Sequence, residues 1–150
     1  MDLLERARAL AACPLFENLA PAVLIRLAER ARATELVRGD RRTTEDSVWV
    51  VARGVLAVVI RAAGAEHTPG ADVATTSIVI KRGAPAIAGN AVGIVRVVRP
   101  ATPIVEVIAE QPSVLVGLTV HDVRDVLEED PAALTALADR LAGLLLDQAP

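Results

Sequence analysis

Apolar positions recur along the chain with two different periods, and the change of period divides it. In residues 2–12, Leu3, Leu4, Ala7, Leu10 and Ala11 fall at the spacing that lines one helical face, with Asp2, Glu5, Arg6 and Arg8 mostly off it. Pro14 is predicted to end this helix. Pro21 sits in the first turn of a second helix, where the N–H it lacks would have no intrahelical acceptor. Val23, Leu24, Leu27, Ala28 and Ala31 form its inward stripe, to about residue 32. From Glu35 the repeat shortens to that of a β-strand. Strands are predicted over 34–37, 48–51 and 54–61, the last apolar enough to be buried on both faces. Gly39-Asp40 is a turn, 64–72 a loop rich in Gly and Pro, 73–81 a further β-rich stretch, and 82–85 a turn. Strands 104–108 and 113–118 flank Glu110-Gln111-Pro112. The helical period then returns. Thr119 or His121 opens a helix to about residue 129, and Pro131 opens the last, to about residue 147, with Leu134, Leu137, Leu141, Leu144 and Leu145 as its stripe.

Helices at both ends of a run of short strands imply an α+β fold, a small β-roll flanked by N-terminal and C-terminal helices. A chain of 150 residues is expected to be one domain, with helices over 1–33, the roll over 34–118 and helices over 119–148. Phe16 and Trp49 are the only aromatic residues, so the core must be aliphatic. The net charge of −3, from 16 basic and 19 acidic residues, argues against a dedicated nucleic-acid surface. All but one of the basic residues are Arg, which reads as base composition rather than function. Cys13 is the single cysteine, so no internal disulfide can form, and its apolar neighbours imply a buried thiol. The charged N-terminus lacks a signal-peptide core, and no apolar run has a membrane-spanning length. A soluble cytoplasmic protein without membrane insertion is expected.

Enzyme chemistry finds little support. His67 and His121 are too few for the histidine-rich metal site of a β-shell enzyme. No base is spaced beside Ser47, Ser77, Ser113 or Cys13 to activate a nucleophile. Asp122, Asp125, Glu128, Glu129 and Asp130 read as a solvated helix face, with a docking surface as the alternative. The stretch 89–102 stands apart, because it combines glycines, a small polar residue and an arginine in ligand-site spacing: Gly89-Asn90-Ala91-Val92-Gly93-Ile94-Val95-Arg96-Val97-Val98-Arg99-Pro100-Ala101-Thr102.

That stretch resembles the phosphate-binding cassette of cyclic-nucleotide-binding domains. The family pattern is Phe-Gly-Glu, two or three apolar residues, a linker, then Pro-Arg-Ser/Thr-Ala-Thr/Ser. Laid over this chain without a gap, the glycine falls on Gly89, the glutamate on Asn90, the arginine on Arg99 and the Ala-Thr pair on Ala101 and Thr102. The resemblance extends over about residues 10–146. It includes the Pro-Leu-Phe turn after the first helix, Trp49 in the aromatic strand and the Ala52-Arg53-Gly54 hairpin. It is thinner over 38–48, where the chain is about four residues shorter than the family, and no helix-turn-helix of the bacterial regulators follows the last helix.

The resemblance implies that Arg99 holds two oxygens of a cyclic phosphate, as a planar guanidinium can. It implies too that Gly89 lets the backbone approach the ribose and that the residue at Asn90 accepts from the ribose 2′-hydroxyl. Three departures weaken this site. Asn90 is neutral where the family has a carboxylate. Pro100 brings neither a hydroxyl nor an N–H. Gly93 and the valines around it are poor material for the short cassette helix, and Val98 replaces the family proline. Arg96 is expected to be exposed, with phosphate contact as the alternative. Two expectations follow. One is a non-catalytic regulatory or interaction module with a degenerate cassette, without cofactor, contacting a protein partner or its own copy through the C-terminal helix. The other is a stand-alone sensor of cyclic AMP or cyclic GMP.

Overall fold

The computed structural model describes residues 1–61, 79–82, 85–98 and 103–147 of the chain. Helix α1 (Leu3–Ala11) starts at a reciprocal cap, in which the Asp2 carboxylate accepts from the Glu5 N–H and the Glu5 carboxylate accepts from the Asp2 N–H, each at 2.8 Å. A single 3₁₀ turn, Pro14–Phe16, buries Leu15 and Phe16 and leads to α2 (Pro21–Arg30). The inward stripe of α1 is narrower than its spacing predicts. Ala7 and Leu10 are buried, whereas Leu4 is 54% exposed.

Among the described residues the strands form two antiparallel sheets. The first has the order β1 (Arg32–Leu36), β9 (Ser113–Thr119), β3 (Ser47–Arg53), β7 (Ala91–Val92). The second has the order β2 (Arg41–Thr43), β8 (Val105–Ala109), β4 (Val55–Arg61), β5 (Val79–Arg82), with β6 (Ala86–Ile87) also pairing with β4. Alternation along a strand sends neighbouring side chains to opposite faces. Val48, Val50, Val116 and Leu118 therefore point from the first sheet into a core shared with the helices. Trp49, Val51 and Leu115 point the other way, into a second core with Leu56, Val107 and Ala109 of the opposing sheet. Gly117 lies under the Trp49 ring, where a Cβ would overlap ring carbons. This α+β roll flanked by helices is the architecture the apolar pattern implied.

Strands β2, β6 and β7 lack a sequence signal, since two or three residues are too few to show a period. The short connection over 38–48 turns directly into β2. Gly39, at φ 93°, donates to the Ala109 carbonyl at 2.8 Å, and the Asp40 carboxylate accepts from the Val37 N–H at 3.0 Å. Strand β4 is covered on both faces, with Leu56 buried on one and Val59 on the other, while Val58 and Ile60 are half-buried. Beyond the roll, α4 (Val120–Glu128) is capped by the Thr119 hydroxyl, which accepts from the Asp122 N–H at 3.0 Å. Asp130 caps α5 (Pro131–Asp147), accepting from the N–H groups of Ala132 and Ala133. Leu137 and Leu141 of α5 are buried, but Leu134 is 37% exposed and Ala133 takes the inward position beside it.

Candidate functional site

Residues 85–98 form one wall of a cavity of about 620 Å³, a size usual for small-molecule sites. The wall is shaped by two tight turns. In the first, Gly89 (φ 90°) donates to the Val51 carbonyl at 2.9 Å, and the Asn90 carbonyl accepts from the Val51 N–H at 2.9 Å. The Asn90 side chain closes the same turn, its Oδ1 accepting from the Ile87 N–H at 2.9 Å while its own N–H donates to the Ile87 carbonyl at 2.9 Å. The left-handed position is taken by Gly89, and Asn90 acts as a turn residue with its acceptor engaged.

The second turn is at Gly93 (φ 89°), where the backbone passes so close to β3 that a Cβ would lie 2.8 Å from the Ser47 carbonyl and from Thr44. Gly93 thus serves close approach, and the chain recovers at once into a one-turn helix, α3 (Val95–Val98). This corrects the expectation that Gly93 and the valines disfavour a cassette helix. Propensity is a weak prior, and burial of Ile94 and Val97 in the core under the helices outweighs it. Val92, Ile94, Val95 and Arg96 border the cavity, and Arg96 is half-buried rather than exposed.

The floor comes from the second sheet. Ile60 and Val105 are cross-strand partners, and Val58 lies two residues along β4 on the same face. Thr44, fully buried, pins this floor to the wall: its Oγ1 accepts from the Val105 N–H and its own N–H donates to the Val105 carbonyl, both at 2.9 Å. Cys13, Pro14 and Leu15 form the third side. Burial pushes the Cys13 thiol up from its ordinary range, partly offset by the Leu15 and Phe16 N–H groups.

Two arginines of the C-terminal helices hold the backbone of these walls. From α4, Arg124 donates through Nε to the Val97 carbonyl (2.9 Å) and through Nη2 to the Arg96 carbonyl (3.3 Å), so a cation sits at the C-terminal end of α3. From α5, Arg140 donates to the Pro14 carbonyl (3.1 Å) and pairs with Glu17 (3.1 Å). Helix α4 is itself tied to α2 by Arg30 with Asp125 and Asp122 (3.0 and 3.4 Å) and by Arg26 with Glu129. The hydrogen bond from Arg30, and then its charge and that of His121, hold the Asp125 carboxyl below the usual range.

Of the residues singled out from sequence, Gly89 and Asn90 lie together on the cavity wall. Arg99, Ala101 and Thr102 lie outside the described residues, as does Pro100. Sequence reasoning missed Thr44, Val58, Ile60, Val105, Arg124 and Arg140. Strand alternation could have paired Val58 with Ile60, but nothing local marks the others. Among the described residues no helix is long and apolar enough to cross a membrane.

No family model matches the sequence, and no curated protein matches it. Solved structures do. The sensor domain of the transcriptional regulator DNR from Pseudomonas aeruginosa superposes with a TM-score of 0.69 at 18% identity, over 98% of this chain and 95% of that one. A putative cyclic nucleotide binding protein from Ruegeria pomeroyi DSS-3 superposes with a TM-score of 0.69 at 16% identity, over 100% of this chain and 65% of that one. The regulatory subunit of a cAMP-independent protein kinase A from Trypanosoma brucei, a triple mutant bound to cAMP in its A site, gives 0.58 at 18% identity, over 85% of this chain and 47% of that one. At such identities the likeness is one of fold. The chain has the fold of a cyclic-nucleotide-binding domain.

Proposed function

We propose that this chain is a non-catalytic regulatory or interaction module whose cassette no longer holds a cyclic nucleotide at useful affinity. The observation that carries this reading is the Asn90 turn. The residue at the ribose-contacting position is neutral, and its one strong acceptor is already bonded to the Ile87 N–H. A ribose hydroxyl would have only the second lone pair of that neutral oxygen to donate to, where a carboxylate offers a charge and a second oxygen. Pro100 adds to the deficit, since a proline following Arg99 supplies no N–H and no hydroxyl to a phosphate. Each missing hydrogen bond to a charged group weakens binding by ~1.5–3 kcal/mol, about tenfold or more. The contact to a partner protein or a second copy is assigned to α5, where Leu134 is exposed beside the buried Leu137 and Leu141.

Isothermal titration calorimetry with cyclic AMP and cyclic GMP, carried to millimolar ligand, tests the reading. The expected result is no saturable heat. Saturable binding at micromolar concentration, lost in Arg99→Ala, would overturn it and establish a sensor that uses Arg99 on the cyclic phosphate.

A further inference from the structure

We propose that the cavity takes an uncharged aliphatic molecule, a saturated chain with no more than a single hydroxyl, lying over Val58, Ile60 and Val105. The proposal rests on the reading above, in that the cassette does not claim the cavity for a cyclic nucleotide. Three observations point to this ligand class.

The floor leaves aliphatic surface in contact with water. Ile60 faces Val105 across the β4–β8 ladder, Val58 lies beside them on the same face, and all three are half-buried rather than buried. Val92 and Val95 of the helical wall border the same space. Apolar surface of this kind favours apolar surface on a ligand, in proportion to the area removed from water.

No aromatic side chain borders the cavity. The chain has only Phe16 and Trp49. Phe16 is fully buried in the core under the helices, and Trp49 lies over Gly117 with its indole N–H donated to the Thr43 carbonyl at 2.8 Å. A flat base or aryl ring would therefore find no stacking partner, whereas a flexible methylene chain needs none.

The backbone donors that an anion would need are in use. An N–H has one hydrogen to give, and those of Thr44, Gly89, Asn90 and Arg96 go to the carbonyls of Val105, Val51, Ile87 and Gly93, while that of Val105 goes to the Thr44 hydroxyl. Pro14, Pro85 and Pro103 have no N–H. Arg96 has an interaction partner of its own beyond these. A carboxylate or phosphate would give up its water here without regaining donors from these groups, whereas a methylene chain has none to regain.

The test is titration of the full chain with the straight-chain alcohols hexanol, heptanol and octanol, each below its solubility limit, with octanoate as the charged comparison. Binding is read by calorimetry and by the methyl NMR signals of valine and isoleucine. Saturable one-site binding is expected, with the Kd falling about fourfold for each methylene added, the increment of about 0.8 kcal/mol for burying one such group. The methyl shifts should centre on Val58, Ile60 and Val105. Octanoate should bind about tenfold or more weakly than octanol, because its charge must be desolvated. Ile60→Phe, which narrows the floor, should weaken octanol by about tenfold or more. Val105→Phe fills the same space from the facing strand and takes its place if Ile60→Phe does not fold. Octanol binding that is non-saturable, independent of chain length, unchanged by both filling variants or weaker than that of octanoate would overturn the proposal. Cyclic AMP titrated in parallel separates the two readings. If octanol and cyclic AMP are both silent, the inference fails and the regulatory reading stands. If cyclic AMP saturates at micromolar concentration and octanol does not, both fail.

Discussion

Gly93 offers a sharp test of how the cavity wall is built, because two separable effects meet there. The first is backbone strain: Gly93 has φ 89°, a conformation that L side chains rarely adopt. Alanine in a left-handed position is disfavoured by about 1–2 kcal/mol. The second is overlap, since a Cβ at Gly93 would lie 2.8 Å from the Ser47 carbonyl oxygen and from Thr44. One of those contacts is backbone of β3, which pairs with both β7 and β9 and cannot easily yield. Overpacking of this kind adds about 1–3 kcal/mol. Gly39 supplies the control, with φ 93° and nothing within 4 Å of a built Cβ. Gly39→Ala should therefore show strain alone, about 1–2 kcal/mol, and Gly93→Ala strain plus overlap, about 2–5 kcal/mol. Gly54→Ala belongs with Gly93→Ala, because its φ is 108° and its Cβ would lie 2.7 Å from the Ser113 Cα. Urea unfolding followed by circular dichroism measures the series, with the midpoint as readout and an unchanged slope as the check on two-state behaviour. If Gly93→Ala loses no more than Gly39→Ala, the close approach of the wall to Thr44 and Ser47 is not a constraint, and the argument for the shape of the cavity fails with it.

Other outcomes follow from the same geometry. Arg124→Ala should lower stability by about 1–2 kcal/mol, by removing a cation and two hydrogen bonds from the end of α3; faster amide exchange at Arg96 and Val97, with lesser effect on β8 and β9, would localise the loss. Asp125, held below the ordinary aspartate range by Arg30, stabilises the fold above that range and loses this contribution as pH falls through its folded value; a carboxyl NMR titration should show the depressed value, and Arg30→Gln should return it toward the ordinary one. The Cys13 thiol, buried and raised in pKa, should react with a thiol reagent only as the chain unfolds, so labelling in native buffer at the rate of a free thiol would contradict its placement.

The sequence by itself determined the order of the helices and the longer strands and most of the faces they bury. Pro21 and Pro131 at helix starts, the Thr119 cap and the alternation through Val48 to Val51 depend on local backbone chemistry and on periods of 2 and about 3.6 residues, which any window of sufficient length displays. It also determined that the core would be aliphatic, and it singled out Gly89 and Asn90 as part of the cassette. The tertiary structure decided what those two residues do. Only the meeting of Ile87 with Asn90 engages the amide oxygen, and only the approach of Thr44 and Ser47 explains why residue 93 is a glycine and still precedes a helix. The cavity itself is built from Pro14, Thr44, Ile60, Ile94 and Val105, positions far apart in the chain. Arg124 and Arg140 reach 27 and 126 residues back to hold its walls. Such contacts leave no periodic trace, because they depend on which surfaces pack together and not on the residues next to them in sequence.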